Sequence, residues 1–466
     1  MEDMSHRRAP IQPSTAYLEY AGRGVRARVR AAHERQEQGG PQPLDAYPEQ
    51  ARLWRAAAAR VRGLSGELTE LLHHLHDHPE LAFEETRAQQ AITGLLHRHG
   101  HHTDSGVHGV STALRSSFST PHFDPAAHRT VAVMAEYDAL PDIGHACGHN
   151  IIAAAGAGAY LAAVDTLRDA ADAGVEGVEG RVILLGTPAE EGHSGKEYMI
   201  RGGALDGVDM AVMIHPFSYD IASHVWVGRR TLRTTFTGVA AHASSQPYMG
   251  RNALDAASLA YQGIGLLRQQ MPPSDRLHAV ITEGGHRPSV IPDRAVMDIY
   301  VRSLVPQALV DLSARIDDIL DGAALMAGVR VEKGWDTHPP TLPVRNNETL
   351  AARWATTQAH RGRVSLPAGV VPDSVAASTD FGNVSHLVPA IHPMVKIAPE
   401  DVALHTREFA RWSRSPEAET AARDSATGLA QVIIDILADP ELAAAARREF
   451  AEAGGEQTVA DYFGRG

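Results

Sequence analysis

The chain has 466 residues, 44% of them hydrophobic and 21% charged, and its 43 basic and 56 acidic residues leave a formal net charge of −13. These are the proportions of a globular protein long enough for more than one domain; the acidic surplus excludes nucleic acid as the expected partner, because phosphate neutralisation needs clustered Lys and Arg, and no apolar run approaches a membrane-spanning length, so no membrane partner is expected either. A single cysteine, Cys147, excludes an intramolecular disulfide and points to a reducing compartment, by default the cytoplasm.

The opening MEDMSHRRAP has no apolar core of a secretion signal. Residues 1–46 are rich in Arg, Gln, Pro and Gly, which predicts a poorly ordered extension with at most one short helix. From 48 to 76, Leu53, Ala57, Val61, Leu64, Leu68 and Leu72 recur at the three-to-four spacing of a helix. A second helix over about 84–99 stops at Gly100. Strands are expected at 110–118 and 131–135, then an Ala-rich helix at 151–164, a strand at 182–186, a helix near 196–203 and a strand at 210–215. Strands alternating with helices predict an α/β fold with a mostly parallel sheet covered on both faces.

The rhythm changes near Gly228. Residues 229–335 read as strand (232–237), helix (253–270), two strands (278–282 and 295–301), helix (306–327) and strand (329–333), an α+β unit inserted into the first domain. The α/β pattern resumes near Asn346 and ends in a helix at about 417–437. The expected organisation is therefore a discontinuous domain over 47–228 and 336–440, the inserted unit over 229–335, and an amphipathic tail over 441–466 that docks or frays.

Four stretches carry chemistry. In the run from Glu136 to Asn150, reading EYDALPDIGHACGHN, Cys147 and His149 fall in a loop between a strand and a helix, where open α/β sheets build their sites. They are candidate metal ligands, or Cys147 is a candidate nucleophile. In Gly186-Thr187-Pro188-Ala189-Glu190-Glu191, two adjacent acids follow an apolar strand and repel each other unless something positive lies beside them. His215 closes the apolar run Met213-Ile214, and His405 closes Val402-Ala403-Leu404. Alone, the acid pair reads as a solvated loop edge, and each histidine is more often a satisfied core, surface or capping residue than a ligand.

Together they are more specific. Cys147, His149, Glu191, His215 and His405 all lie at or beside strand ends, and parallel strands bring those ends to one side of a sheet. Thiolate, imidazole and carboxylate are ligands of zinc-like ions. Five of them exceed what one open catalytic ion needs and suit a site for two. Glu190 is left over as a proton acceptor that passes the proton to a leaving group, which suits amide hydrolysis. A cysteine-nucleophile amidase with His149 as base is a rival, but it leaves Glu190, Glu191, His215 and His405 without a role. A binding or regulatory protein on the same fold is a second rival, and it would have no need of Glu190. The groups His73, His74, His76, His78 and His97, His99, His101, His102 read as exposed helix faces and termini. Lys196, one of only three lysines, is a helix-start residue near the site or a contact to substrate, and the scarcity of lysine favours the contact.

The segments EYDALPDIGHACGHN, GTPAEEG, MIHP, GVAAHASSQPYMGRNALDA and STDFGNVS…LHTREF, with HDHPELAFEET upstream, resemble in content and order the zinc-type aminoacylase/carboxypeptidase family of metallopeptidases, in its amidohydrolase branch with a Cys-Gly-His pair. The likeness covers about residues 50–440, and its wording is most similar to the dipeptidase-type members, beside N-acyl-amino-acid amidohydrolases and p-aminobenzoyl-glutamate hydrolase. The resemblance implies a phosphorylase/hydrolase-like catalytic domain with a ferredoxin-like dimerisation or lid domain, and a homodimer. It also implies one or two divalent ions per subunit, zinc first with manganese or cobalt as alternatives. Cys147 would bridge, with His149, Glu191, His215 and His405 completing the ligand set, and Glu190 would be general base and acid. His242 matches the histidine brought into the partner's active site to hold the oxyanion. Asn252, in the adjoining GRNA segment, would contact substrate, and Asp138 matches a carboxylate that orients a ligand. Two positions depart from the family's pattern, Ser289 before Val290-Ile291-Pro292 and the histidine at His193, and both bear on substrate choice.

Overall fold

The computed structural model describes residues 14–373 and 376–464. Four helices come first: α1 (Ala16–Gly39), α2 (Gln50–Gly63), α3 (Ser65–Asp77) and α4 (Thr86–Arg98). A six-stranded sheet follows, built from β1 (Asp104–Ser105), β2 (Leu114–Ser119), β3 (Arg129–Ala135), β4 (Gly180–Gly186), β5 (Met210–Val212) and, far along the chain, Ala390–Ile391. β3 pairs parallel with both β4 and β5, and Ala390–Ile391 pairs parallel with β5; β1 and β2 form an antiparallel edge. The chain then kinks. Met213 and Ile214 leave the ladder, and β6 (His215–Phe217) begins a separate parallel pair with Met394–Lys396. His215 thus opens a short strand instead of closing a long one.

Between β3 and β4 runs α5 (His149–Asp172), rich in Ala and Gly and buried almost all round. By length and composition it could cross a membrane, which corrects the expectation that no apolar run is long enough; 94% of its most apolar stretch is buried inside the protein. A helix sandwiched between a sheet and other helices has no polar face to show. Small residues let it approach closely: a Cβ at Gly156 would stand 2.9 Å from the carbonyl oxygen of Met134. That contact fixes the N-terminus of α5, and with it the Cys147–His149 loop, against the end of β3.

After α6 (Gly195–Arg201), the inserted unit comprises β7 (Gly228–Thr237), β8 (Ala241–His242), α7 (Ala253–Leu267), β9 (Arg276–Glu283), β10 (Val290–Ile291), β11 (Arg294–Ser303), α8 (Pro306–Ala327) and β12 (Arg330–Trp335). Its four-stranded antiparallel sheet has the order β12-β7-β11-β9. Leu232, Phe236, Leu277, Ile299 and Val301 alternate onto one face and pack on Ala256, Ala260, Ile264, Leu312, Ile316 and Leu320 of the two helices. This core is separate from the main one, and the other sheet face turns toward the loops that carry Cys147, Glu190 and Glu191.

The chain returns through α9 (Glu348–Ala359), α10 (Phe381–Ser385), β13 (Ala390–Ile391), β14 (Met394–Lys396), α11 (Arg407–Trp412) and α12 (Pro416–Ala438), and ends in α13 (Pro440–Glu452) and α14 (Val459–Phe463). The tail docks: Leu442, Ala443 and Ala446 join the main core, and Phe463 packs against that of the inserted unit. At the other end, residues 1–13 of the expected extension lie outside the described residues, but 16–39 form a 24-residue helix. Val25 and Ala32 are buried in a cluster with Phe217, Ile221, Trp226, Leu366, Val370 and Val371. Ala21, Val25, Val29 and Ala32 do recur at helical spacing in α1, but they are small and set among arginines, and its anchoring is tertiary.

Candidate metal centre

Cys147, His149, Glu190, Glu191, His215 and His405 converge. Ligand atoms of Cys147, His149 and His215 lie within 4.8 Å of one another, as do those of Cys147, Glu191 and His405, and those of His149, Glu190 and Glu191. Cys147 Sγ is 3.4 Å from His215 Nε2, His405 Nε2 is 3.5 Å from Glu191 Oε1, and His149 Nε2 is 3.9 Å from Glu190 and 4.0 Å from Glu191. Two of the trios share Cys147, so the thiolate stands between two overlapping sets of donors.

Local backbone sets each donor. Gly148 adopts φ +80°, and a Cβ there would meet Pro216 at 2.8 Å, so only glycine lets the Cys147 loop turn against the His215 strand. Ala189 and His405 hold φ of 61° and 60°, left-handed values that cost a non-glycine residue energy and cluster at functional sites. Hydrogen bonds fix both: Ala189 N donates to Glu85 at 2.9 Å, and His405 N donates to the Ala146 carbonyl at 3.0 Å.

The tautomers follow from the acceptors. His149 Nδ1 donates to Asp138 at 2.9 Å and His215 Nδ1 to the Pro216 carbonyl at 2.7 Å, which leaves both Nε2 atoms with free lone pairs toward the cluster. Asp138 also accepts from the Glu191 backbone N–H at 2.8 Å and so orients two ligands at once. Burial pushes the Cys147 thiol up, and burial together with Glu136 and Glu191 holds the Glu190 carboxyl well above its usual range. Burial pushes His215 down to about 3, keeping it neutral as a ligand must be.

Two observations show that the residues fit a divalent cation. His149 Nε2 and Glu191 Oε1 are buried with no hydrogen-bond partner, and these are atoms that face the cluster. Buried polar atoms are costly when unpaired. Moreover, the carboxyl groups of Glu136, Glu190 and Asp380 gather around one lysine ammonium with Glu191 next in the chain, and such a surplus of acids calls for positive charge.

That ammonium belongs to Lys196 at the start of α6, where its burial favours the helix-start reading over a substrate contact. The residue is 1% exposed and donates to Glu136 and, at 2.7 Å, to Asp380. Burial opposes its charge, but Asp380, Glu136 and Glu190 outweigh burial and hold the pKa above the ordinary lysine value. Lys196→Met leaves two buried carboxylates without a counter-charge, so it should cost about 3–5 kcal/mol of stability. Denaturant unfolding at neutral pH measures this, and a loss under about 1 kcal/mol would contradict the ion-pair account.

Two other expected residues lie elsewhere. Asn252 caps α7, accepting from Leu254 N at 3.0 Å and donating to Asp255 at 2.8 Å. It is not among the described residues that line the cleft of its own chain. His242 is exposed on β8, opposite Val290 and beside Ser289, and it too is absent from that lining. Its Nδ1 accepts from Ser244 N and Ser245 N, both at 3.3 Å, which places the proton on Nε2.

The cleft itself, about 590 Å³, runs from Cys147, Glu190, Glu191, His215 and His405 to Arg229, Arg276, His278, Tyr300 and Arg302 on the inserted sheet. Sequence reasoning missed this wall, and also Glu136 and Asp380, although both acids stood inside quoted motifs. It missed Trp226 as well, whose ring meets that of His215 edge-on at 5.1 Å and links it to the cluster anchored by α1. His193 meets His338 edge-on with ring centroids 4.4 Å apart, bridging the loop that carries Glu190 and Glu191 to the segment that follows β12.

A family model described as a peptidase dimerisation domain matches residues 227–325. The Xaa-Arg dipeptidase of Mus musculus is 35% identical over 403 residues, which cover 85% of this chain and 92% of that protein. One of the two chains of the p-aminobenzoyl-glutamate hydrolase of Escherichia coli (strain K12) is 31% identical over 291 residues, covering 58% of this chain and 57% of that one. Among solved structures, a dinuclear metal-binding peptidase of the M20 family from Bacillus subtilis shares the fold, with a TM-score of 0.58 at 18% identity over 81% of this chain and 99% of that one.

Proposed function

The chain belongs to the M20 family of metal-dependent peptidases and is a hydrolase of amide bonds; from that premise we propose that it cleaves a dipeptide or an N-acyl amino acid with Glu190 as general base. The carrying observation is the pair of donor trios sharing Cys147, with Glu190 beside them. Cys147, His149, Glu191, His215 and His405 hold one or two divalent ions, zinc first. Such an ion supplies Lewis acidity, enough to bring a coordinated water's pKa from about 15.7 to about 7.

The chain's own residues do the rest. Asp138 holds His149 and the Glu191 backbone in place. Glu190 takes a proton from the attacking water and delivers it to the departing nitrogen, while the water's oxygen joins the acyl carbon as the C–N bond breaks. The substrate's carboxylate pairs with Arg302 at the far wall of the cleft. A cysteine nucleophile is disfavoured because it leaves Glu190, Glu191 and His405, which gather with Cys147 and His149, without a role.

Residues 47–228 and 336–440 form the catalytic unit in this reading, and 229–335 the lid through which two copies pair. Tyr248, Met249, Leu266, Leu325 and Met326 on the inserted unit are 61–82% exposed, an apolar surface that pairing would cover. His242 then reaches the partner's cleft, with its Nε2–H aimed at the developing oxyanion. We place the enzyme in the cytoplasm, where the Cys147 thiol stays reduced.

Hydrolysis of N-acyl amino acids and dipeptides, assayed alongside metal content and with or without chelator, tests the reading; activity indifferent to complete metal removal would end it. Subunit exchange tests the pairing. Inactive His242→Ala chains mixed with inactive Glu190→Gln chains should regain one working site per mixed dimer. Proven heterodimers without activity would place His242 within its own chain or outside catalysis.

A further inference from the structure

The open face of the inserted sheet carries three arginines in one row. In the antiparallel register, Arg302 of β11 stands directly opposite Arg276 of β9 on one side and Arg229 of β7 on the other. Directly opposed residues project to the same face, and all three line the cleft with Cys147, Glu190, Glu191 and His215. Like charges in that relation destabilise a sheet. Four residues along β11, the same face solves this problem in the ordinary way: Asp298 stands opposite Arg233 and pairs with it at 3.4 Å.

The row has no such acid. Among the described residues, none of its three guanidiniums has a carboxylate within 4 Å. Arg276 donates only to the carbonyls of Pro273 and Asp275. Arg229 is 7% exposed; its Nη2 reaches the Gly192 carbonyl at 3.3 Å and Ser194 Oγ at 3.1 Å, while its Nε is buried without a partner. Arg302 lies over Tyr300, 5.1 Å from the ring centroid, and burial and Arg229 both push its pKa down. Three buried or half-buried cations without anions are a site awaiting negative charge.

We infer that this row is a subsite for a leaving residue with two anionic groups, an amino acid such as aspartate or glutamate whose side-chain carboxylate binds beside its α-carboxylate. The inference rests on the amide-hydrolase reading of the metal cluster. In any N-acyl amino acid, the α-carboxylate sits on the carbon bonded to the scissile nitrogen, so it must lie in this cleft. One carboxylate offers two oxygens, enough for one or two guanidinium forks. Adjacent strands are about 4.8 Å apart, so the backbone positions of the row span about 10 Å, room for two carboxylates. Arg302 at the centre serves the α-carboxylate with Arg276. Arg229, tied to the loop that follows Glu190 and Glu191, serves the second and couples its binding to the catalytic loop.

The test uses the full-length, metal-loaded protein and one N-acyl series with the acyl group held constant and Glu, Gln, Asp, Asn or Lys as leaving residue. Glu and Gln differ in charge and hardly in shape. Charged hydrogen bonds of this kind predict kcat/KM higher for Glu over Gln, and for Asp over Asn, by about 10- to 100-fold. Arg229→Gln should shrink the Glu/Gln ratio at least about tenfold. Because both substrates meet the same preparation, a partly misfolded variant gives the same ratio. Equal rates for Glu and Gln, or a preference for Lys, overturn the dianion subsite and leave the hydrolase reading intact. A Glu preference that survives Arg229→Gln overturns the row as its source. No turnover of any member by protein with full metal content overturns the hydrolase reading, and this inference with it.

Discussion

Replacing Glu190 with Gln should lower turnover by about 10²- to 10⁴-fold or more while metal content stays unchanged. The substitution keeps the side chain's length and its amide can still bond to neighbours, so the shape of the cluster persists. What disappears is the only donor of the cluster that the two trios sharing Cys147 leave unclaimed. Burial raises the pKa of its carboxyl, and Glu136, Glu191 and Asp380 around it raise it further, an environment that lets it accept a proton and release it again. Proton transfer at this position is therefore lost without loss of folding or of cation binding. Turnover within about threefold of the unaltered protein, in a correctly folded variant, would remove Glu190 from the mechanism.

Replacing Cys147 with Ala should abolish activity and lower the number of ions bound, because Cys147 is the donor common to two trios. The comparison that gives this result meaning is Asp138→Asn. Asp138 touches no cluster centre itself; it receives the Nδ1–H of His149 and the backbone N–H of Glu191. Outer partners of this kind typically change affinity or activity about 10- to 100-fold. The expected order is thus a modest loss for Asp138→Asn with ions retained at higher concentration, and a larger loss for Cys147→Ala that added metal does not restore. Metal analysis after gel filtration, together with activity against metal concentration, separates the two. Full metal content in the Cys147→Ala protein would show that the thiolate does not bridge.

These outcomes bear on a division of labour visible in the fold. The catalytic side supplies the donors and excess negative charge; the inserted sheet supplies positive charge. Ser194 and Gly192, just past the catalytic pair, are bonded to Arg229 of the inserted unit. His193 meets His338 where the chain leaves that unit. The two walls of the cleft are therefore mechanically joined next to the chemistry, so a substrate that engages the arginines also bears on the loop carrying Glu190 and Glu191.

The donor cluster could be read from the chain alone. Cys147, His149, Glu190 and Glu191 were legible because they follow apolar strands whose ends a parallel sheet brings to one side, and His215 and His405 because an apolar run ends in each, although His215 opens β6 and His405 lies in the turn before α11. The main elements were legible for a similar reason, since periodicity is a property of neighbours in the chain. Other features depend on contacts between distant segments. Lys196 read as a substrate contact because its partners, Glu136 and Asp380, are 60 and 184 residues away, and burial is not written in a residue's type. The arginine row was invisible because Arg229, Arg276 and Arg302 become neighbours only through strand register, which depends on how three strands pair. The extension by itself predicts at most a short helix because what orders the 24 residues of α1 is a surface made by residues 217–371, and a helix with only a narrow stripe of small apolar residues is ordered by what it packs against.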